Sequence, residues 1–163
     1  MLKHATNLIQ TRCNQLRNKM KWKRWIDKNS IPNLNEPGIY FITHSKKDLT
    51  KNEFSITGEI VYIGMSISKK GTKGRLQQFE RGMKGKIGIH GGAERVKFKH
   101  SDENLFFKDT FISVESFVLT DDEVFNWKQK GNCVKHEYVR FADYLEKFGK
   151  LPEFNDQKRS KKK

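Results

Sequence analysis

Gly38-Ile39-Tyr40-Phe41-Ile42-Thr43 and, after a polar interval, Gly58-Glu59-Ile60-Val61-Tyr62-Ile63-Gly64 are the stretches whose reading decides the fold. β-Branched and aromatic residues fill both. Pro37-Gly38 signals a turn before the first, His44-Ser45-Lys46-Lys47 closes it, and a glycine stands at each end of the second. Such runs suit a pleated, half-buried surface, and two in succession across a polar connection are expected to pair antiparallel. Thr110-Phe111-Ile112-Ser113-Val114-Glu115-Ser116-Phe117-Val118-Leu119 is the best third strand.

Helical spacing supplies the rest of the frame. Leu76, Phe79 and Met83 share one face behind Thr72, which reads as an N-cap, and Arg75 lies on the flank of that stripe. Val134, Tyr138, Phe141, Leu145 and Phe148 make a second stripe, with Glu137 at its border. The expectation is an α/β (α+β) domain: a small, mainly antiparallel three-stranded sheet over 38–43, 58–63 and 111–119, flanked by helices near 72–82 and 133–148. Ala5, Ile9, Cys13, Leu16 and Met20 recur at helical steps, so residues 1–36 read as a basic helical extension packed on a domain spanning 37–155. Residues 156–163 read as a basic, disordered tail. The loop over 44–58 is long enough to form an extended hairpin or to touch a partner.

The chain has 163 residues, with 33 Lys and Arg against 19 Asp and Glu, and a net charge of +14. One domain with its own core is expected at this length. The surplus favours a polyanionic partner, nucleic acid ahead of an anionic membrane. No apolar run approaches the roughly 20 residues needed to span a bilayer, and the first residues lack a signal peptide's apolar core, which points to a soluble, cytoplasmic protein without membrane contact. Cys13 and Cys133 stand far apart, without zinc-type spacing, and read as reduced packing residues.

Charge is distributed unevenly. Residues 64–100 hold ten Lys and Arg against two acids, and Lys69, Lys70, Lys84, Lys86 and Arg95 are the candidate phosphate contacts. Gly82, Gly85, Gly88, Gly91 and Gly92 give the middle of that region a loop-like composition. Residues 101–130 are acidic on balance, with seven Asp and Glu against three Lys, and are expected to face away from nucleic acid. The Gly/Ser/Lys run after Gly64 matches no Walker motif. His136-Glu137 opens like His-Glu-x-x-His, but Arg140 occupies the second histidine position, which rejects a zinc protease.

Alone, Tyr40 or Tyr62 reads as core filler, Arg75 as a surface cation, and Glu137 as either a salt-bridging acid or a metal ligand. Together and in order, Gly38-Ile39-Tyr40, Tyr62-Ile63-Gly64, Arg75, Glu137 and Pro152-Glu153-Phe154-Asn155 resemble the GIY-YIG endonucleases over roughly Pro37 to Asn155. The resemblance implies a divalent-metal-dependent DNA endonuclease of restriction type, acting on double-stranded DNA; repair or junction cleavage, and a basic module that binds without cutting, stand as alternatives. It further implies that Tyr40 or Tyr62 activates water, that Arg75 forks onto phosphate oxygens, and that Glu137 holds a magnesium ion for which manganese substitutes. Asn155 supports the site. A dimer is among the states this allows.

A phenol titrating near 10 is a poor base at neutral pH, so cations must lower it, and Lys69, Lys70 and Lys73 are the candidates. Two positions depart from the family's pattern. Its usual lysine after the second tripeptide meets Met65 or Ser66, and the His or Tyr one turn after the arginine is Phe79. His90 is a candidate replacement, beside the plainer reading of a loop histidine with no role.

Overall fold

The computed structural model describes residues 20–157. One four-stranded antiparallel sheet runs through it, built from β1 (Lys23–Arg24), β2 (Gly38–His44), β3 (Ile60–Ser66) and β4 (Thr110–Ser116) in the spatial order β1-β4-β2-β3. Helices α1 (Gly71–Met83), α2 (Gly91–Lys99), α3 (Glu103–Lys108) and α4 (Glu123–Phe148) cover it. Alternation along the strands separates two cores. Tyr40, Ile42, Tyr62 and Ile112 face Leu76, Phe79, Met83, Ala93, Val96 and Phe106 of the first three helices. Ile39, Phe41, Ile63 and Phe111 face Cys133 and Tyr144 of α4. The architecture is α+β, helices on both sides of a sheet.

The three-strand expectation needs correcting to four. Trp22 is buried on the α4 side of the sheet and Trp25 on the α1 side. Two large rings on opposite faces hold Lys23-Arg24 between them, against the outer edge of β4. Residues 20–36 therefore pack with the sheet, Leu34 also being buried. The expected N-terminal helix lies outside the described residues except for Met20, whose carbonyl accepts from Phe54 N (3.0 Å). Of the basic tail, only Asp156 and Gln157 are described.

Boundaries also move. The second strand starts at Ile60, because Ile60 N closes a turn onto Thr57 O (3.2 Å), and it runs through Gly64 to Ser66 because Gly64 pairs with Tyr40. β4 ends at Ser116 rather than 119. α4 begins ten residues before the expected 133: the Asp122 carboxylate caps it, accepting from Phe125 N, and Glu123 occupies the first turn. The stretch read as glycine-rich loop turns helical at Gly91, and Asp102 caps α3. Loop 44–58 is no projecting hairpin; Leu49 and Phe54 pack onto the α4-side core. Thr72 does not cap α1 but lies in its first turn, its hydroxyl donating to Glu36 O (3.3 Å). Among the described residues no helix is long and apolar enough to cross a membrane.

Candidate functional site

Register brings the two tyrosines together. Tyr40 sits opposite Gly64, and Ile42 opposite Tyr62, so Tyr40 and Tyr62 occupy one face as a diagonal cross-strand pair. Their ring centroids are 6.0 Å apart. Gly64 is required by that approach, since a β-carbon there would lie 2.5 Å from Tyr40 Oη. Gly92 serves the other ring: a β-carbon at that position would lie 2.6 Å from Tyr62 Cζ. The first turn of α2 thus carries Gly92, despite its poor helix propensity, because it rests on a tyrosine.

His90, directly before that turn, completes the cluster. It is 1% exposed, its Nδ1 accepts from Ala93 N (3.2 Å) as the cap of α2, and its Nε2 lies 2.8 Å from Tyr40 Oη. Burial first, then the charges of Arg75 and Arg95, lower its pKa to about 3, so the ring is neutral. With the Nδ1 lone pair used by an amide, the ring proton is assigned to Nε2, which donates to Tyr40 Oη. The Tyr40 proton is then free to point to Tyr62.

The two phenols are not equivalent. Tyr40 is fully buried, and burial drives its pKa well above the ordinary 10; the neighbouring Tyr62 charge adds to that, while Arg75 opposes it. Burial also raises Tyr62, but Arg75, Arg95 and a hydrogen bond from Tyr40 all act to lower it. On balance its pKa stays raised above the ordinary 10, so the expectation that cations bring a phenol down is not met, but these opposing influences make Tyr62 the phenol that ionises before Tyr40. The cations acting on it are arginines. Lys73 is exposed in the first turn of α1 and, like Lys69 and Lys70, is absent from the charges that shift either phenol.

Arg75 reaches this cluster from α1, its Nη1 donating to Gln78 Oε1 (2.8 Å). Glu137 reaches it from α4. Burial raises the Glu137 carboxyl and Arg75 opposes the shift, while Glu137 in turn raises Tyr62. No hydrogen bond or ion pair occupies Glu137 among the described residues. The polar contacts of that helix turn belong to its neighbours: His136 Nδ1 (3.3 Å) and Arg140 Nη2 (2.9 Å) both engage the buried Glu115 carboxylate on β4. Glu115 thereby ties down the turn that presents Glu137.

Among the described residues, no three His, Cys, Asp or Glu side chains converge into a protein-only metal cage. Magnesium seldom needs one; it usually retains several waters and takes one or two carboxylates plus substrate phosphate. A half-buried carboxylate with no hydrogen bond or ion pair among the described residues, near enough to Arg75 to feel its charge, fits such an ion.

Asn155 serves the edge of the sheet. Its Oδ1 accepts from Ile63 N (2.8 Å) and its Nδ2 donates to Ile63 O (2.7 Å), so it acts as a one-residue strand between Tyr62 and Gly64. Arg95 departs from its expected place as a phosphate contact: it is 8% exposed and its Nε donates to Phe154 O (2.7 Å). Lys84 and Lys86 lie exposed on the loop between α1 and α2, and Lys69 and Lys70 border a groove beside Arg75. Glu115 and Gln78 carried no sequence signal. Comparisons with protein-family models, with curated proteins and with solved structures find no match to this chain.

Proposed function

We propose that this site hydrolyses phosphodiester bonds of double-stranded DNA with the help of a divalent cation, magnesium or manganese, held by Glu137, as a GIY-YIG-type endonuclease. One observation carries the reading. The charge of Arg75 acts at once on Tyr40, Tyr62, His90 and Glu137, groups supplied by β2, β3, the start of α2 and α4. Four elements converging on one cation without neutralising it is a poor arrangement for stability and a suitable one for holding an anion.

The residues divide the work as follows. Arg75 offers its remaining N–H groups to the phosphate oxygens and offsets the charge that gathers on the pentacoordinate phosphorus. Tyr62 acts as the phenolate, its own proton having gone to solvent, and takes the proton of the attacking water as the oxygen–phosphorus bond forms and the bond to the 3′ oxygen breaks. Tyr40, itself receiving the His90 Nε2 hydrogen, donates to Tyr62 and stabilises its phenolate. The 3′ oxygen leaves and takes its proton from solvent. The cation on Glu137, when bound, supplies positive charge to the phosphate and the departing oxygen.

Supercoiled plasmid incubated with and without magnesium tests the reading. Magnesium-dependent nicking or linearisation, stopped by chelator, is the expected result. Absence of cleavage with magnesium and with manganese leaves a nucleic-acid-binding module as the replacement.

A further inference from the structure

A groove of about 740 Å³ opens between the end of β3 and the outer face of α1, and it is lined by the residues from Met65 to Lys70 on one wall and by Arg75, Gln77, Gln78 and Arg81 on the other. Lys69, Lys70, Arg75 and Arg81 bring four positive charges to it and no lining residue is acidic. The acid nearest in sequence is turned elsewhere. Glu80 binds Lys28 Nζ (2.6 Å) and Trp25 Nε1 (3.0 Å), on the side of α1 packed against the domain. Lys69, Lys70 and Arg81 have no ion-pair partner among the described residues. A one-signed, concave wall of this kind focuses potential and concentrates an anion.

The face of α1 that lines the groove is regular. Gly74, Gln77, Gln78 and Arg81 follow each other at helical i, i+3, i+4, i+7 steps, with Arg75 at the border. Seven residues at 1.5 Å each make this face about 10 Å long. One strand of B-DNA rises about 3.4 Å per phosphate along the axis and travels further along its own winding path, so the wall spans at most about three phosphate steps. Gly74 lets the Lys70 side chain lie close against α1: a β-carbon there would lie 2.6 Å from Lys70 Cβ. Arg75 belongs to both the groove and the tyrosine cluster.

We propose that this groove is the track of the DNA strand being cut, with Arg81 and Lys70 binding phosphates that flank the scissile one and Gln77 facing the same strand. The assignment rests on the phosphodiester reading of the site, and it adds Arg81 and Gln77, which charge counting along the chain did not single out. Phosphate contacts set the register of the strand, so Arg75 meets a phosphate already aligned by Arg81.

The test is fluorescence anisotropy of a labelled duplex DNA in chelator, so that cutting plays no part, across a salt series. Arg81→Ala and, separately, Lys70→Ala are expected to weaken binding by about tenfold at about 0.1 M salt and to lower the slope of log affinity against log salt by about one. Lys128→Ala, on the exposed surface of α4, is the control and should change neither. Arg81 and Lys70 are both exposed, and circular dichroism checks that the variants fold. Parent-like affinity and slope in both groove variants overturn the proposal, as does a Lys128→Ala effect equal to theirs. If groove variants lose binding while the parent fails to cut DNA with magnesium or manganese, the groove stands and the nuclease reading falls.

Discussion

Tyr40 Oη and His90 Nε2 are 2.8 Å apart in a wholly buried contact, and the Ala93 amide on the far side of the imidazole decides which of them donates. His90 therefore has two jobs: it caps α2 through Nδ1 and orients Tyr40 through Nε2.

Substitution separates those jobs. His90→Asn keeps an acceptor for the Ala93 amide, asparagine being a good N-cap, but no longer reaches Tyr40. His90→Gln keeps an N–H near the place of Nε2 and gives up the cap. In single-turnover cleavage, Gln is expected to stay within about tenfold of the parent and Asn to fall by about a hundredfold, the scale of one well-placed catalytic hydrogen bond. Equal losses in the two variants would mean that His90 is only a cap.

The same histidine imposes a pH dependence on stability. Its folded pKa of about 3 lies below the ordinary 6.5, so the folded state binds fewer protons than the unfolded one. Its contribution is complete above about 6.5 and is lost as pH falls from there to about 3, by about 1.4 kcal/mol per pH unit for this one group. Urea midpoints measured from pH 7 to pH 4 should drop more steeply in the parent than in His90→Gln. Parallel curves would show that the ring is not held neutral.

Tyr62 and Tyr40 should differ as bases do from their helpers. Tyr62→Phe is expected to lower the single-turnover rate by about a thousandfold, within the range for loss of a general base. Tyr40→Phe, which removes a hydrogen bond to that base, should cost about tenfold to a hundredfold. The reverse order would transfer the base to Tyr40.

Glu137 should be a burden to the protein alone. Burial raises its pKa, so the folded state holds the proton more tightly than the unfolded one, and ionisation at neutral pH destabilises the fold. Glu137→Gln is expected to raise Tm at pH 7.5 in chelator, with the gain fading as pH falls through the carboxylate range, where the parent is protonated too. An unchanged or lower Tm would indicate that the carboxylate is already satisfied.

Much of this site could be read from the chain because it sits on regular elements. Runs of β-branched and aromatic residues placed Tyr40 and Tyr62 in strands, and period-3.6 spacing placed Arg75 at the flank of α1. The stripe through Val134, Tyr138, Phe141, Leu145 and Phe148 missed the packed face of α4: Tyr138 is 70% exposed, the buried residues include Cys133 and Tyr144, and Glu137 shares their face rather than its border. What escaped lacked a period. A two-residue strand such as Lys23-Arg24 has no pattern and exists because Trp22 and Trp25 are buried on opposite faces. Gly91-Gly92 resembles loop, and the Tyr62 ring resting on Gly92, with His90 capping the turn, explains a helix there. Arg95 counts as one charge among many in a basic stretch, and composition does not reveal that Phe154 O holds it inside. His90 looked like a loop residue because its partner lies fifty positions away.

The proposed joint action of Glu137 and Arg75 in cutting DNA is tested most directly by single-turnover cleavage of duplex DNA in magnesium by the parent, Glu137→Gln and Arg75→Ala. The parent is expected to cut. Glu137→Gln should be slower by on the order of a thousandfold while binding DNA at least as tightly, and Arg75→Ala should be as slow with weaker binding. A folded Glu137→Gln protein that cuts at the parent rate would mean that Glu137 holds no catalytic cation.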